Sequence, residues 1–553
     1  MKNIFNIITI VGIISFTLFS CESTELDKTT NPNNLSPEQS DVNSLLNNIQ
    51  LEFIGIVENG LGRVGGELAR IDYMNGTDYT NAFSPAGFNN EWTSAYADML
   101  ADIRIMTPNA ESDELFYHVG IAQTLEAFTI VTLVDFFGDI PYSEALQGIE
   151  NPNPNVDPGS EVYDQALILL DSAIENFNKN AAAGPTFDFF YDGDTSKWIK
   201  AANTIKMKIY LQTRLVDNTA ISKFNDIVDS GNFISSSADD FQFNAWGTNE
   251  VQPDTRHPRY TDNYTTSGGG DYMSNWLIDY MLGNNDPRIR YYFYRQVSET
   301  PNNDNPNEET LQCSLQSAPT HFQGTPFEDI WCSLPNGYWG RIHGSDEGIP
   351  PDGFLRTLTG VYPAAGTFDD DRFEAQVEGD GGGGAGITPI ILASTVDFYR
   401  AEVAMLNSAY GDAKNLILDG LQKSVAKVTS FGSLDTTADL SFEPTATDIT
   451  DHADAIEAKF DAADSDGKWN ILAEEYFTNL FGNGLDGYNF YRRTGFPTTV
   501  APNVEPNPGG FIRSFFYPAN FVNNNSNVQQ KPDVDIQVFW DNNPPSPGFP
   551  IQN

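Results

Sequence analysis

The chain has 553 residues, of which 40% are apolar and 12% aromatic, enough for a large core. Asp and Glu outnumber Lys and Arg 76 to 30, for a net charge of −46. That balance excludes a nucleic-acid partner, whose phosphates need Lys and Arg, and argues against adsorption to anionic lipid; the excess acid reads as a solvated, self-repelling surface.

Residues 1–20 read as an export signal. Lys2 is its positive start. The apolar run from Ile4 to Leu18 falls short of the roughly 20 residues that span a bilayer. Leu18-Phe19-Ser20-Cys21 resembles a bacterial lipobox, in which the Cys is lipidated and becomes the mature N-terminus, although Phe19 stands where a small or β-branched residue is usual. The alternative is an ordinary signal with a chance cysteine. No second apolar run of spanning length is read further on. Residues 21–40 are polar and turn-rich and read as a flexible tether.

Helical periodicity then dominates. It predicts helices over 41–57, around Trp92 to Ile103, and over 114–137, the last apolar nearly all round and so buried. Gly138 and Pro141 stop it. Two more follow, Tyr163 to Phe177 and Trp198 to Ile209, the second opened by Thr195 or Ser196 as N-cap. From 232 to 390 the texture turns rich in Gly, Pro, Asn and Asp, with one short helix from Trp276 to Leu282. Gly268-Gly269-Gly270 and the Gly379–Gly386 run are loops, and the second lacks the Gly-Lys-Ser/Thr of a phosphate-binding loop. Helices return at 394–408, 412–430 and 468–481. Residues 511–540 read as extended, and 542–553 as a Pro-rich tail. The fold class is mainly α: a tetratricopeptide-like helical scaffold (about 41–231 and 391–500) carrying a loop-rich, irregular insertion (about 232–390) and few short strands, within a single domain over 41–541. Inserted loops on a rigid frame are where binding usually sits.

With Cys21 assigned to the lipid, Cys313 and Cys332 remain. An even pair in an exported chain suggests one disulfide bracing a loop; two buried thiols are the alternative. No catalytic constellation emerges: the five histidines are scattered, and neither His-Glu-x-x-His nor Gly-x-Ser-x-Gly occurs. His343 has a polar neighbourhood but no partner nucleophile and reads as a loop-ordering residue. No metal site and no cofactor are assigned. Asp464-Ser-Asp466-Gly467 hints at a calcium loop, but Ala462 and Ala473 break the EF-hand pattern, so a turn before a helix is preferred. Asp369-Asp370-Asp371 is read as a solvated acidic cluster.

Aromatics in polar loops are the most informative side chains. Tyr73 and Tyr79, then Trp246, Tyr260, Tyr264 and Tyr272, then Trp331, Tyr338 and Trp339 lack helical or strand spacing. Rings beside amides and carboxylates suit the apolar face and hydroxyl rim of a sugar, and also peptide side chains. Burial of any single one under its own loop is the competing reading.

Several stretches, in order, resemble the SusD/RagB outer-membrane nutrient-binding lipoproteins of Bacteroidetes, in particular a SusD-like branch. They are Asn31-Pro-Asn-Asn, Trp92-Thr-Ser-Ala-Tyr-Ala-Asp-Met-Leu, Leu133-Val-Asp-Phe-Phe-Gly-Asp-Ile-Pro-Tyr and Trp198-Ile-Lys-Ala-Ala-Asn. Further along come Asp286-Pro-Arg, Trp339-Gly-Arg-Ile-His-Gly with Gly348-Ile-Pro-Pro-Asp-Gly, and Asp397-Phe-Tyr-Arg-Ala-Glu-Val-Ala. Asn483-Gly-Leu-Asp-Gly-Tyr-Asn-Phe-Tyr-Arg-Arg-Thr-Gly-Phe-Pro and Phe515-Phe-Tyr-Pro complete the set. The resemblance implies a surface-exposed, non-enzymatic lipoprotein that captures an oligosaccharide and acts as lid to a SusC-like TonB-dependent transporter. A RagB-like peptide binder, using Arg256, Arg259 and Arg341, is the second expectation.

Overall fold

The computed structural model describes residues 40–299, 313, 316–346 and 352–544. The expected leader, Cys21 and nearly all of the tether lie outside the described residues, as do residues 347–351 and 545–553.

The first helix, α1 (Val42–Ile54), buries Val42, Leu46, Ile49 and Phe53 at helical spacing. It runs on through a π-helical stretch, Gly55–Gly62, kinked at Gly60, into α2 (Arg63–Leu68). A second π-helical stretch, Ser94–Leu100, leads into α3 (Ala101–Ser112). Next is α4 (Phe116–Phe137), 22 residues that contain a strongly apolar 18-residue stretch. It is long and apolar enough to cross a membrane, which corrects the expectation that no second such run exists. Yet 94% of that stretch is buried among other helices, so it is a core helix. Two of its threonine hydroxyls are satisfied within the helix, Thr124 donating to Gly120 O and Thr132 to Phe128 O, each at 2.8 Å.

Helices α5 (Gly159–Phe177), α6 (Thr195–Thr213) and α7 (Ala220–Ser230) follow, each packed on the one before. The N-cap of α6 is Asp194, one residue before those expected; its carboxylate accepts from Ser196 N at 2.9 Å and Lys197 N at 3.4 Å. A carboxylate caps better than a Thr hydroxyl and also suits the positive end of the helix dipole.

In the irregular middle stands α8 (Asn275–Gly283), with two small antiparallel pairings. Strand β1 (Phe241–Phe243) meets β4 (Thr388–Ile391), and β2 (Phe293–Tyr294) meets β3 (Leu358–Thr359). The frame resumes with α9 (Ala393–Leu406), α10 (Tyr410–Thr429), α11 (Ala446–Ala462), α12 (Ser465–Asn479) and α13 (Leu485–Thr494). α9 packs on α10 and α12, and α11 on both of those. Buried polar ties join this half to the first. Arg493 holds both oxygens of Glu402, at 2.8 and 2.7 Å, and reaches Gln212 of α6. Asp486 takes Lys208 of α6 and Tyr399 of α9. The mainly helical, tetratricopeptide-like scaffold with few short strands is thus as the sequence predicts.

Residues 511–540 differ from the extended reading. They include a short helix, Ala519–Asn524, and no paired strand. Side-chain packing holds them instead: Phe515 stacks on Phe136 at 5.5 Å, and Arg492 lies 4.8 Å from the Trp540 ring. Alternating apolar residues here serve a strap across helices, not a ladder.

Candidate ligand-binding cleft

The cleft grows from α2 and the turn after it. Gly66 of α2 lets Asp72 fold back against the helix, since a Cβ there would lie 2.3 Å from Asp72 Oδ2. Single backbone bridges then draw three distant segments together: Asp72 pairs with Met273, and Ser274 with Arg341. Arg341 N donates to Met273 O, and Asn275 N to Arg341 O, both at 2.9 Å. The result is a cleft of about 370 Å³ whose walls include Tyr73, Asn75, Phe83, Arg259, Tyr272 and Arg341.

Its floor is ionic. Arg63 bridges to Asp271 and, at 2.9 Å, to Asp262. Arg259 holds Asp72 through two bonds, 2.7 and 3.0 Å, and Glu58 at 3.0 Å. Glu67 also lines the cleft, with Arg63 Nε at 3.9 Å. Burial pushes the Glu67 carboxyl up to about 8; Arg63 pulls it down, while Asp72 and Asp271 add to the rise.

Tyr272 is fixed rather than free. The Arg341 and Arg356 guanidiniums lie 4.1 and 3.9 Å from its ring centroid. Its hydroxyl donates to Asp352 Oδ2 at 2.7 Å and accepts from Arg341 at 3.1 Å. Tyr73 meets it edge-on at 5.8 Å and donates to Ser345 O. Cys313 and Cys332, joined in a disulfide with Cα atoms 5.6 Å apart, cluster with Tyr272 and Trp339, and Tyr73 and Trp331 pack against them.

The structure therefore gathers part of the expected aromatic set. Tyr73 and Tyr272 line the cleft, and Trp331 lines a small crevice beside it that shares Arg341. Trp339 and Tyr338 are buried. Tyr79 is buried outside the cleft lining, where its hydroxyl meets Arg70 Nη2 and His343 Nε2, each at 3.1 Å. Burial and the Arg70 charge hold His343 well below its ordinary range, so it is neutral. Tyr264 stacks on Tyr260 at 4.4 Å in a separate buried cluster. Trp246 packs on Phe243 and His257, away from the cleft lining. Most of these loop aromatics are buried without regular spacing, covered by segments distant in the chain, as Tyr79 is by Phe511; Tyr73, Trp246 and Trp331 are half-buried.

Other expectations resolve similarly. Asp369, Asp370 and Asp371 are not a solvated cluster: Arg295, Arg372 and Arg290 pair with them in turn, at 2.7, 2.7 and 2.9 Å. Asp464 is the N-cap of α12, accepting from Gly467 N at 2.8 Å. Of the arginines singled out for a peptide, Arg259 and Arg341 line the cleft, whereas Arg256 pairs with Asp254 and Glu378 outside it. Sequence reasoning missed Glu67, Asn75 and Phe83. Asp286, His452 and Glu475 place ligand-type atoms within 4.8 Å of one another. The Arg288 guanidinium already bridges its two carboxylates, at 2.5 and 3.1 Å, and supplies the positive charge there.

A helical-repeat frame with an ion-lined cleft built on its irregular segment defines a binding scaffold. The chain belongs to the SusD-like family, described as starch-binding and associating with the outer membrane, whose model matches residues 32–323. Solved structures share the fold. A SusD/RagB family protein from Bacteroides thetaiotaomicron is 19% identical, with 91% of this chain and 99% of that one covered at a TM-score of 0.64. A chitin-binding SusD homolog from Flavobacterium johnsoniae is 19% identical, with 91% and 99% covered at 0.61. A SusD homolog from Bacteroides fragilis is 18% identical, with the same coverage and a TM-score of 0.61. No curated protein matches.

Proposed function

We propose that this chain is a non-catalytic, surface-exposed lipoprotein of the outer membrane that captures a nutrient oligosaccharide and delivers it, as a lid, to a SusC-like TonB-dependent transporter. On this reading residues 1–20 are the leader, Cys21 carries the lipid, residues 21–40 are the tether and 41–541 the single binding domain. The family description and the chitin-binding neighbour support a glycan. The cleft is the observation that carries the site: half-buried Tyr73 and Phe83 give apolar surface, and Asn75, Glu67 and the ion-paired floor give fixed polar groups beside it. Flat apolar surface next to oriented polar groups is what a sugar's two faces require.

The second reading is a peptide ligand, which the presence of Arg259 and Arg341 in the same cleft favours. Calorimetric titration of the mature protein with oligosaccharide and peptide panels separates the two. The glycan reading predicts saturable binding of an oligosaccharide that Tyr73→Ala weakens. Binding confined to peptides overturns it.

A further inference from the structure

This inference rests on the reading of the cleft as the ligand site. The guanidiniums that face it are engaged by the protein: Arg63 by Asp262 and Asp271, Arg259 by Asp72 and Glu58, and Arg341 by Tyr272. Six carboxyl groups (Glu58, Glu67, Asp72, Asp262, Asp271 and Asp346) stand with these three cations in or just under the cleft. Among the described residues no hydrogen bond reaches the Glu67 carboxyl, and its nearest cation, Arg63 Nε at 3.9 Å, is beyond hydrogen-bond range. Its side chain is 19% exposed, into the cleft.

We infer that Glu67 hydrogen-bonds the ligand and that the ligand this cleft selects is uncharged and hydroxyl-rich, not anionic. Carboxyl oxygens left over are acceptors, so a ligand must bring donors, as sugar hydroxyls do. Glu67 apart, five carboxyl groups still outnumber the three guanidiniums, so a uronate, a sulfate or an acidic side chain meets surplus negative charge and no uncommitted guanidinium, and an unmatched like charge in a half-buried site is repelled. The charge around Glu67 comes from every side: Arg63 on its own helix, Asp72 on the next turn, Arg259 on the helix Pro258–Asn263 and Asp271 on the following loop. Burial keeps the Glu67 carboxyl protonated below about pH 8, so at neutral pH it donates a hydrogen bond as well as accepting one.

The test is calorimetric titration of the mature protein at low salt and pH 7. The probes are neutral malto-, xylo- and N-acetylchito-oligosaccharides against oligogalacturonates, sulfated oligosaccharides and acidic peptides of matched length. The expected result is a neutral oligosaccharide bound at least about 10-fold tighter than any anionic probe, a difference of about 1.4 kcal/mol. Glu67→Ala weakens that binding by about 10-fold, and Glu67→Gln, which cannot ionise, restores most of it. Wild-type affinity declines between pH 7 and 9 as Glu67 ionises, and Glu67→Gln removes the decline, which a merely structural role would not do. Anionic probes binding as tightly as neutral ones, with Tyr73→Ala weakening both, overturn this inference and leave the cleft as the site. Binding that Tyr73→Ala and Asn75→Ala leave unaltered, or no oligosaccharide binding at all, overturns the cleft reading and this inference with it.

Discussion

Arg259 grips Asp72 end-on, Nη1 to Oδ1 at 2.7 Å and Nη2 to Oδ2 at 3.0 Å, and gives its Nε to Glu58 at 3.0 Å. One side chain from the irregular segment thus pairs with two carboxylates, Glu58 of the helical frame and Asp72 of the turn after α2, and offsets one of their two charges. All three residues are largely buried. Removing the cation leaves two uncompensated buried charges, which costs about 3–5 kcal/mol. Arg259→Ala is therefore expected to lower the free energy of unfolding, read from urea denaturation, by that amount. A change below about 1 kcal/mol contradicts the buried-clamp account.

The two kinds of loop aromatic separate by mutation. Tyr73 lines the cleft, and Tyr73→Ala is expected to weaken oligosaccharide binding about 10-fold, read by calorimetry. Trp246 packs against Phe243 at 4.9 Å and donates to Thr388 Oγ1 at 2.9 Å. Trp246→Ala is expected to cost about 2–4 kcal/mol of stability, with affinity retained. A large affinity loss in Trp246→Ala alone moves the site elsewhere.

His257 is fully buried, and burial lowers it to about 4, overriding Glu58 at 3.8 Å; the pair is not an ion pair at neutral pH. The unfolded chain binds a proton at His257 near pH 6.5 and the folded chain near 4. Stability is therefore complete above pH 6.5 and falls as pH drops toward 4, by about 3 kcal/mol from this group. Urea midpoints measured across that window are expected to fall, and less steeply in His257→Gln. An equal slope in the variant contradicts the assignment.

The proposed anchor has its own readout. Fatty-acid labelling in cells is expected on wild type and absent in Cys21→Ala, with the variant released from the membrane fraction. Label retained by the variant contradicts lipidation at Cys21.

Much of the frame is written in apolar patterning: the buried faces of α1 and α5 recur at helical spacing, α4 is apolar nearly all round, and Gly138 ends α4 where the sequence places the stop. Three of the longer helices escaped notice for different reasons. α11 carries its signal openly, with Ile456 and Phe460 inward and a Thr445–Asp448 capping box, but charged residues dilute it. α13 is buried on almost every position, including Asp486, Arg492 and Arg493, so it shows no polar face. α7 is short and buries only Ala220 and Phe224. The cleft was less legible, because its ion pairs span the chain: Arg259 lies 187 positions from Asp72. No local pattern distinguishes Glu67, which faces the cleft, from the many acids that face water. The aromatic argument failed for Tyr79 and Tyr264, since segments distant in the chain cover their rings.

The most direct measurement is a crystal structure of the mature protein with the tightest-binding neutral oligosaccharide. The account predicts sugar in the cleft, against Tyr73 and within hydrogen-bond distance of Glu67 and Asn75. An oligosaccharide seated elsewhere, such as beside Phe442 and Glu443 in the separate cleft near α11, with the Tyr73 cleft empty, contradicts it.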